Sequence, residues 1–549
     1  MKLSTKGRYG LKAMVDLAVN YGNGLLSISS LAHSQGISEA YLERILTKLR
    51  VGGFIVSSRG SLGGYELKLA PKDVSVGGIL KCLEGSTTLV DCVSKSEKRY
   101  CENACSCSAR PLWLKLQNRI DEVLETTTLR DMADDYITQT ERIKSDYMKK
   151  IYLDNAATTA PSRAVIDAIM PYLTDYYGNP SSVHKFGMEA KRGLDKARES
   201  VAKALSSNTD EIIFTGGGTE ADNMAIFGVA KQYSKKGKHI ITTAVEHHAV
   251  LHSCAELEKQ GFKVTYLPVD EFGLVTALDV ENAITDETIL VTIMFANNEV
   301  GSIFPIEEIG SVCKKHGVIF HTDAVQAVGH LKIDVNAMNI DLLSMSAHKF
   351  HGLKGVGALY VKKGIIVPPF IVGGAQERRK RAGTENVPGI VALGVALTEA
   401  VSNIEEKAAR ISRLRDRLID GIFKNINDVK LNGHPTMRLP GNANVSIKYI
   451  EGESILLMLD LKGIAASSGS ACTSGSLDPS HVLLAMGLNH ETAHGSVRLT
   501  LSDETTVEDI DYTVQVLKET AERLRAMSPL YKPTEQKCNL GINCACDKE

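Results

Sequence analysis

The 549-residue sequence has one Trp, an aromatic share of only 5% and no long uncharged apolar run. A membrane-spanning helix needs about 18 such residues in a row, so insertion is not expected. An excess of either charge is also missing. The 63 Lys and Arg oppose 65 Asp and Glu for a net charge of −2, which leaves no chain-wide field to attract nucleic acid or an anionic membrane. Any basic surface must be local. No apolar leader opens the chain, whose first twenty residues carry Lys2, Lys6, Arg8, Lys12 and Asp16. Eleven Cys, an odd number in a chain this long, do not make a disulfide scaffold; they point to a reducing cytoplasm and to thiols kept for chemistry.

What is present is globular: 43% apolar and 23% charged residues, over a length equal to three or four units of about 150 residues. The texture changes near residue 148, where a charged helical segment from Leu129 to Tyr147 gives way to Met148-Lys-Lys-Ile-Tyr-Leu-Asp-Asn-Ala-Ala. No Pro/Gly/Ser linker marks the change, so a fairly stiff junction is expected. The expected divisions are 1–147, a large α/β domain over 148–400, a smaller domain over 401–530 and a Cys-rich tail over 531–549.

Over residues 1–72, ten Lys and Arg face four Asp and Glu, a local +6, whereas residues 73–147 sum to −3. Leu11, Met14, Val15, Ala18 and Val19 recur at helical spacing, and Ser29 to Ser34 offers a second helix stopped by Gly36. Ser38 is placed to cap a third helix. Its apolar stripe is Tyr41, Leu42, Ile45, Leu46 and Leu49, leaving Glu39, Glu43, Arg44, Lys48 and Arg50 outward. Two helices joined by a tight turn fit a helix-turn-helix. Arg59-Gly60-Ser61-Leu62-Gly63-Gly64, between Phe54-Ile-Val and Tyr65-Glu-Leu, reads as a hairpin whose tip carries an Arg suited to the minor groove. The fold class expected here is an α+β winged helix-turn-helix that binds double-stranded DNA.

Cys92, Cys101 and Cys107 follow with spacing C-x8-C-x5-C, ahead of a helix bearing Leu112, Leu116, Ile120, Val123 and Leu124 on one face. Soft thiolates on one loop suit an iron–sulfur cluster or zinc, and a bare redox loop competes with both.

From residue 150 to about 390, β-rich apolar runs alternate with helical stretches, the pattern of a mostly parallel sheet. Such sheets bind ligands at strand carboxyl ends. Four runs here end in reactive residues: Glu246-His247, Asn297-Asn298, His321-Thr-Asp323 and Ser346-Ala-His348-Lys349. Together they offer what pyridoxal 5′-phosphate requires. Lys349 can condense with the aldehyde, Asp323 can pair with the ring nitrogen, Gln326 can donate to the ring hydroxyl, and His247 can stack on the ring and move protons. Gly216-Gly-Gly218-Thr219 joins a strand to a helix start, which suits the phosphate. Cys472 lies in Ala465-Ala-Ser-Ser-Gly-Ser-Ala-Cys-Thr-Ser-Gly-Ser, too rich in Ser and Gly for continuous strand or helix. A nucleophile there can reach a cofactor-bound substrate and carry its product outward. Cys82, Cys254 and Cys313 read as structural. Cys538, Cys544 and Cys546 crowd nine residues of the tail, where they could accept sulfur or hold a metal.

Two resemblances follow from these motifs. Residues 1 to about 145 resemble the IscR-like winged-helix regulators, through the opening Met-Lys-Leu-Ser-Thr-Lys-Gly-Arg-Tyr-Gly, the helix after Gly36, the Arg59 wing and the three-cysteine loop. This resemblance implies a homodimer through the long helix, an iron–sulfur cluster on Cys92, Cys101 and Cys107, and DNA contacts from Glu43 and Arg59. One position departs from the family: Arg110 stands where the cluster-ligating His is expected and cannot ligate iron, leaving Cys105 or a residue from elsewhere as candidate fourth ligand. Residues 150 to about 530 resemble the NifS/IscS-type cysteine desulfurases, through Tyr152-Leu-Asp-Asn-Ala-Ala, the Gly216 loop, Val245-Glu-His-His, Ala296-Asn-Asn-Glu, His321-Thr-Asp-Ala-Val-Gln, Ser346-Ala-His-Lys and Ser468-Gly-Ser-Ala-Cys.

That second resemblance implies pyridoxal phosphate fold type I, with a large parallel-sheet domain and a small C-terminal domain, in a dimer. Phosphate contacts are implied for Gly218, Thr219, Ser346, His348 and, from the other chain, Thr384. Arg498 would hold the substrate carboxylate, with Asn298 helping to hold substrate and ring. The activity implied is conversion of L-cysteine to L-alanine with a persulfide on Cys472, and an iron–sulfur scaffold protein is implied as sulfur acceptor. A sensor that binds the cofactor without turnover, a selenocysteine lyase and an aminotransferase remain as other readings. Intact Lys349, His247, Cys472 and Arg498 favour the desulfurase.

Overall fold

The computed structural model describes residues 4–58, 63–90, 93, 107–137, 150–468, 479–529 and 531. The chain separates into two compact units, Met1–Met148 and Lys149–Glu549.

In the first unit, α1 (Thr5–Val19), α2 (Ile28–Gln35) and α3 (Glu39–Val51) pack around Met14, Leu17, Leu31, Leu42, Ile45, Leu46 and Leu49. Ser4 and Ser27 accept hydrogen bonds from Gly7 N and Ser30 N at the starts of α1 and α2, satisfying amides that have no helical partner. Gly36 ends α2 at φ 62°, a conformation that costs a glycine little. Ser38 occupies the cap position of α3 but makes no side-chain cap bond. An antiparallel hairpin follows, β1 (Ile55–Ser58) with β2 (Gly64–Leu67), closing at Ser58 opposite Gly64. Its tip, with Arg59, lies outside the described residues. α4 (Val76–Glu84) and α5 (Arg110–Thr126) complete the unit, and a further helix starts at 129 and anchors Leu129 and Ala133 in the same core.

The second unit is built on a seven-stranded sheet. Its strands are β4 (Ile212–Thr215), β5 (His239–Thr243), β6 (Lys263–Leu267), β7 (Thr288–Thr292), β8 (Ile319–Asp323), β9 (Leu342–Ser346) and β10 (Gly357–Val361), in the order β4-β10-β9-β8-β7-β5-β6. β6, β5, β7, β8 and β9 run parallel; β10 is antiparallel to both its neighbours. Period-two alternation splits the strands between two apolar layers. Ile213 and Ile240 pack under helices Gly218–Tyr233 and His248–Lys259, while Ile212, Phe214 and Ile241 join the larger core on the opposite face.

A smaller antiparallel sheet, β11 (Val429–Asn432), β12 (Asn442–Ile447) and β14 (Ser496–Thr500), packs in one core with helices Ile404–Asn425 and Val507–Met527. That core also contains Ile151 and Leu153, because β3 (Ile151–Tyr152) pairs in parallel with β13 (Ile464–Ala465). The first residues after the junction thus belong spatially to the small domain, a pairing across more than 300 residues that linear order does not reveal. No single helix among the described residues is long and apolar enough to cross a membrane.

One buried ion pair ties the sheet edge to its cover. Glu377 accepts from Arg198 Nη1 at 2.9 Å, Arg198 Nη2 at 2.6 Å and Phe214 N at 2.9 Å, while Arg198 also donates to Ile212 O and stacks on Phe214. Removing one partner of such a pair leaves an uncompensated buried charge. Glu377→Gln is expected to lower unfolding stability by about 3 kcal/mol, read as a lower urea midpoint, with Asp167→Asn on an exposed i,i+4 pair changing it by less than about 0.5 kcal/mol.

Candidate active site

The carboxyl ends of β5, β7, β8 and β9 lie on one edge of the parallel sheet and open into a cavity of about 320 Å³. Gly218, Thr219, His247, Asn298, Asp323, Gln326, Ser346, His348, Lys349 and Arg498 all line it. Ten residues singled out from separate stretches of sequence are therefore one site. Thr384 does not line this cavity; it is exposed, in the loop ahead of helix Val387–Val401.

Specific contacts hold several of these side chains. Lys349 ends a 3₁₀ turn directly after β9, and its Nζ donates to Ala156 O at 2.6 Å and Ala157 O at 2.9 Å. Gln326 Nε2 shares the Ala156 carbonyl at 2.9 Å. His247 Nδ1 accepts from Ala249 N at 3.1 Å, which orients the ring at the cavity wall. His348 Nδ1 pairs with Thr158 Oγ1, and burial, followed by the charge of Lys349, lowers its pKa to about 4, so the ring is neutral. Arg498, in the middle of β14, is 2% exposed, with Nη1 donating to Asn298 O and Nη2 to Asp154 Oδ1, both at 2.9 Å. This fork holds the guanidinium at the cavity wall.

Where β4 turns into helix Gly218–Tyr233, Gly217 has φ 152° and ψ −177°, a region essentially closed to side chains. A Cβ on Gly218 would meet Val325 Cγ2 at 2.7 Å. The loop is therefore a cradle kept clear at the N-terminus of a 16-residue helix, where free amides and the helix dipole favour an anion. On the cavity floor, burial raises the pKa of Asp323, opposed by the electrostatic influence of His247, a 2.9 Å bond from Val325 N and the charge of Lys349. A buried carboxyl facing a lysine and an anion cradle is the donor set that a phosphorylated pyridine aldehyde fits.

Sequence reasoning assigned no role to four neighbours. Asp222, one turn beyond Gly218, is pushed well above the usual carboxylate range by burial and by Asp323, and its Oδ1 has no hydrogen-bond partner. Glu246 is fully buried and raised to about 8 by desolvation, against bonds from Met294 N and Thr243. Asp154 orients Arg498. His481 lines the cavity with its ring 4.8 Å from that of His248. The i,i+4 spacing of Gly218 and Asp222 was a usable signal; Asp154 and His481 become neighbours of the site only through the fold. Buried His321 is lowered to about 3 by desolvation, with its nitrogens on Thr292 and Ser344.

Cys254 and Cys313 are buried thiols raised to about 12 by desolvation, as suits structural residues. Cys107 is exposed just ahead of α5. Cys92, Cys101, Cys105, Cys472 and the three tail cysteines lie outside the described residues. Both flanks of the stretch that bears Cys472 are at the site: Ser467 exchanges backbone hydrogen bonds with Arg498, and His481 lines the cavity.

An acid raised in the folded state keeps a proton that the unfolded chain releases. For Glu246 the window lies between its ordinary 4.5 and about 8, and stability is lost as pH rises through it. In the cofactor-free protein the urea midpoint is expected to fall from pH 5 to pH 8, with a visibly flatter profile for Glu246→Gln; equal slopes would exclude a neutral Glu246.

Residues 151–513 match the family profile described as aminotransferase class-V, and residues 3–135 match Rrf2, described as an iron-dependent transcriptional regulator. The cysteine desulfurase IscS of Methanosarcina thermophila is 56% identical over 382 residues, covering 70% of this chain and 94% of that protein. IscS of Clostridium botulinum (strain Hall) is 57% identical over 386 residues, covering 70% and 97%. Among solved structures, a NifS-like protein superposes with TM-score 0.65 at 38% identity, covering 68% of this chain and 100% of that one. A structure described as SspA in complex with cysteine gives 0.59 at 37%, covering 65% and 100%. The chain therefore belongs to the cysteine desulfurase family of pyridoxal phosphate-dependent class-V aminotransferases, here preceded by an Rrf2 regulator domain.

Proposed function

We propose that residues 149–549 convert L-cysteine to L-alanine, leave the sulfur as a persulfide on Cys472 and pass it to an iron–sulfur scaffold protein. The observation that carries this reading is the single cavity gathering Lys349, Asp323, His247 and Arg498. The SspA relative described in complex with cysteine supports the choice of substrate.

Pyridoxal phosphate bound there would supply an electron sink for bond changes at the substrate's α- and β-carbons. Lys349 would hold its aldehyde carbon, Asp323 the ring nitrogen and Gln326 the ring hydroxyl, with His247 against the ring face. Gly218, Thr219, Ser346 and His348 would take the phosphate together with Thr384 of the partner subunit. Arg498, steered by Asp154 and the Asn298 carbonyl, would grip the substrate carboxylate, and Asn298 would help to hold substrate and ring. Lys349 Nζ, once released, would take the α-proton. His247 would accept the Cys472 thiol proton, because the thiolate is the competent nucleophile. Attack of that thiolate on the substrate sulfur forms the S–S bond and breaks the substrate's Cβ–S bond. A thiol and L-cysteine become a persulfide and L-alanine, so no outside oxidant is needed. Cys472 is four residues from Ser468, a reach of about 14 Å at full extension, and the Ser468 carbonyl accepts from Ser496 Oγ.

For the N-terminal unit the proposal is an iron–sulfur-sensing regulator that binds double-stranded DNA. Glu43, Arg44, Lys48 and Arg50 are exposed on α3, ahead of the β1–β2 wing whose tip carries Arg59. Cys92, Cys101 and Cys107 would hold the cluster, with the fourth ligand still to be assigned. Leu112, Leu116 and Val123 are exposed on α5, an uncovered stripe that supports pairing with a second copy.

Cys472→Ser is expected to bind pyridoxal phosphate with unchanged absorbance and to lose at least about 100-fold in alanine formation. Full activity in that variant would remove Cys472 from the mechanism. For the regulator, anaerobic reconstitution of the full chain should give iron–sulfur absorbance that Cys107→Ser abolishes, and Arg59→Ala should weaken DNA binding. No absorbance in the parent protein would end the cluster reading.

A further inference from the structure

The turn after β7, Asn297-Asn298-Glu299-Val300, is rigid and almost wholly buried. Asn297 Oδ1 accepts from Glu299 N at 2.9 Å and Val300 N at 3.0 Å, and its Nδ2 donates to Val245 O. The Glu299 carbonyl accepts from Asn444 Nδ2 at 3.0 Å and Asn442 Nδ2 at 3.3 Å, both from the small-domain sheet. Two further bonds leave this turn in functional directions. The Asn298 carbonyl holds Arg498 Nη1, and the Glu299 carboxylate accepts from Ser480 Oγ at 2.5 Å. Glu299 is 3% and Ser480 5% exposed. A charge-assisted hydrogen bond sheltered from water in this way is among the stronger single polar contacts a fold can make.

Ser480 is the second residue past the undescribed stretch 469–478, and His481 beside it bonds to the Glu246 carbonyl at 3.1 Å. At the other flank, Ser467 exchanges backbone bonds with Arg498 at 2.6 and 3.3 Å. One turn is thus the post for the proposed carboxylate-binding Arg498 and for one end of the segment that bears Cys472.

We infer that Glu299 and Ser480 are positioning residues for sulfur transfer, a latch that ties the anchor of the Cys472 segment to the wall that holds the substrate carboxylate. The inference rests on the desulfurase reading with Cys472 as nucleophile. Neither residue touches the reacting atoms in this role. The latch sets where the segment starts from, which a reaction needing the two sulfurs in contact depends on. Ser480 also caps helix His481–Ala485 by accepting from Leu483 N at 3.2 Å, so loss of the cap must be separated from loss of the latch.

The test uses the full-length holoenzyme and the variants Ser480→Ala, Ser480→Thr, Glu299→Leu, which removes the acceptor, and the double variant Ser480→Ala/Glu299→Leu. The readouts are the cofactor absorbance change on adding L-cysteine and the single-turnover rate of persulfide formation. Each single loss variant is expected to keep the absorbance change and a KM within about twofold while persulfide formation slows about tenfold. The double variant should be no slower than either single one, and Ser480→Thr, which keeps both the hydroxyl and the cap, should stay within about twofold of the parent. A pure capping role predicts that Glu299→Leu behaves like the parent; that result, or losses that multiply in the double variant, would overturn the latch. Failure of the underlying reading looks different, because Cys472→Ser would then still form persulfide and alanine.

Discussion

Burying a carboxyl group at the end of β8 is the constraint around which this catalytic unit is arranged. Asp323 loses most of its hydration, which penalises its charged form, and the protein offers an amide from Val325, the neighbouring His247 and the charge of Lys349 in return. Asp222 and Glu246, buried close by, cannot also ionise cheaply; desolvation drives both upward, Glu246 to about 8. His321 is denied its proton by the same burial and serves as a neutral strut between Thr292 and Ser344. The floor is therefore a set of acids in which one negative charge is favoured wherever a cation can meet it. A protonated pyridine nitrogen is such a cation, and this explains in physical terms why the cavity suits the family's cofactor.

The rest of the architecture delivers groups to that floor. Parallel strands place Glu246, His247, Asn298, Asp323, Ser346 and Lys349 along one edge, and an antiparallel edge pair, β4 and β10, places the glycine cradle beside them. Arg198 and Glu377 clamp β4 in the strands' interior, so the cradle follows a segment that cannot shift freely. Arg498 arrives from the other sheet, steered by Asp154 just past β3, a strand that crosses into the small-domain core. The strands thus fix the residues that line the cavity.

Joining an Rrf2 domain to a cysteine desulfurase puts a module of an iron-dependent regulator family on the same chain as an enzyme of sulfur chemistry. Under the proposed reading the two units share one currency: the enzyme mobilises sulfur, and the regulator's three-cysteine loop reports how well clusters are being built. The near-neutral total charge hides this division, since the +6 of residues 1–72 is offset within the remaining chain.

Much of this was legible in the linear sequence because strand ends carry short motifs. His247, Asp323, Gln326, Ser346, His348 and Lys349 each sit within a few residues of a β-rich run, and the parallel-sheet rule brings such ends together without any knowledge of contacts. The β1–β2 hairpin and helix α3 were readable in the same way, from period and turn chemistry. Asp154, Asp222, Glu246 and His481 were given no role: their importance lies in what burial does to them and in whom they meet. By itself the sequence determined the two-part organisation, the fold classes and the chemical identity of the reactive groups, all of which follow from local pattern. Only the tertiary structure decided that β3 belongs to the small-domain core, that Arg498 is held by Asp154 and that one turn anchors both Arg498 and Ser480, because those contacts join residues some 180 to 340 positions apart.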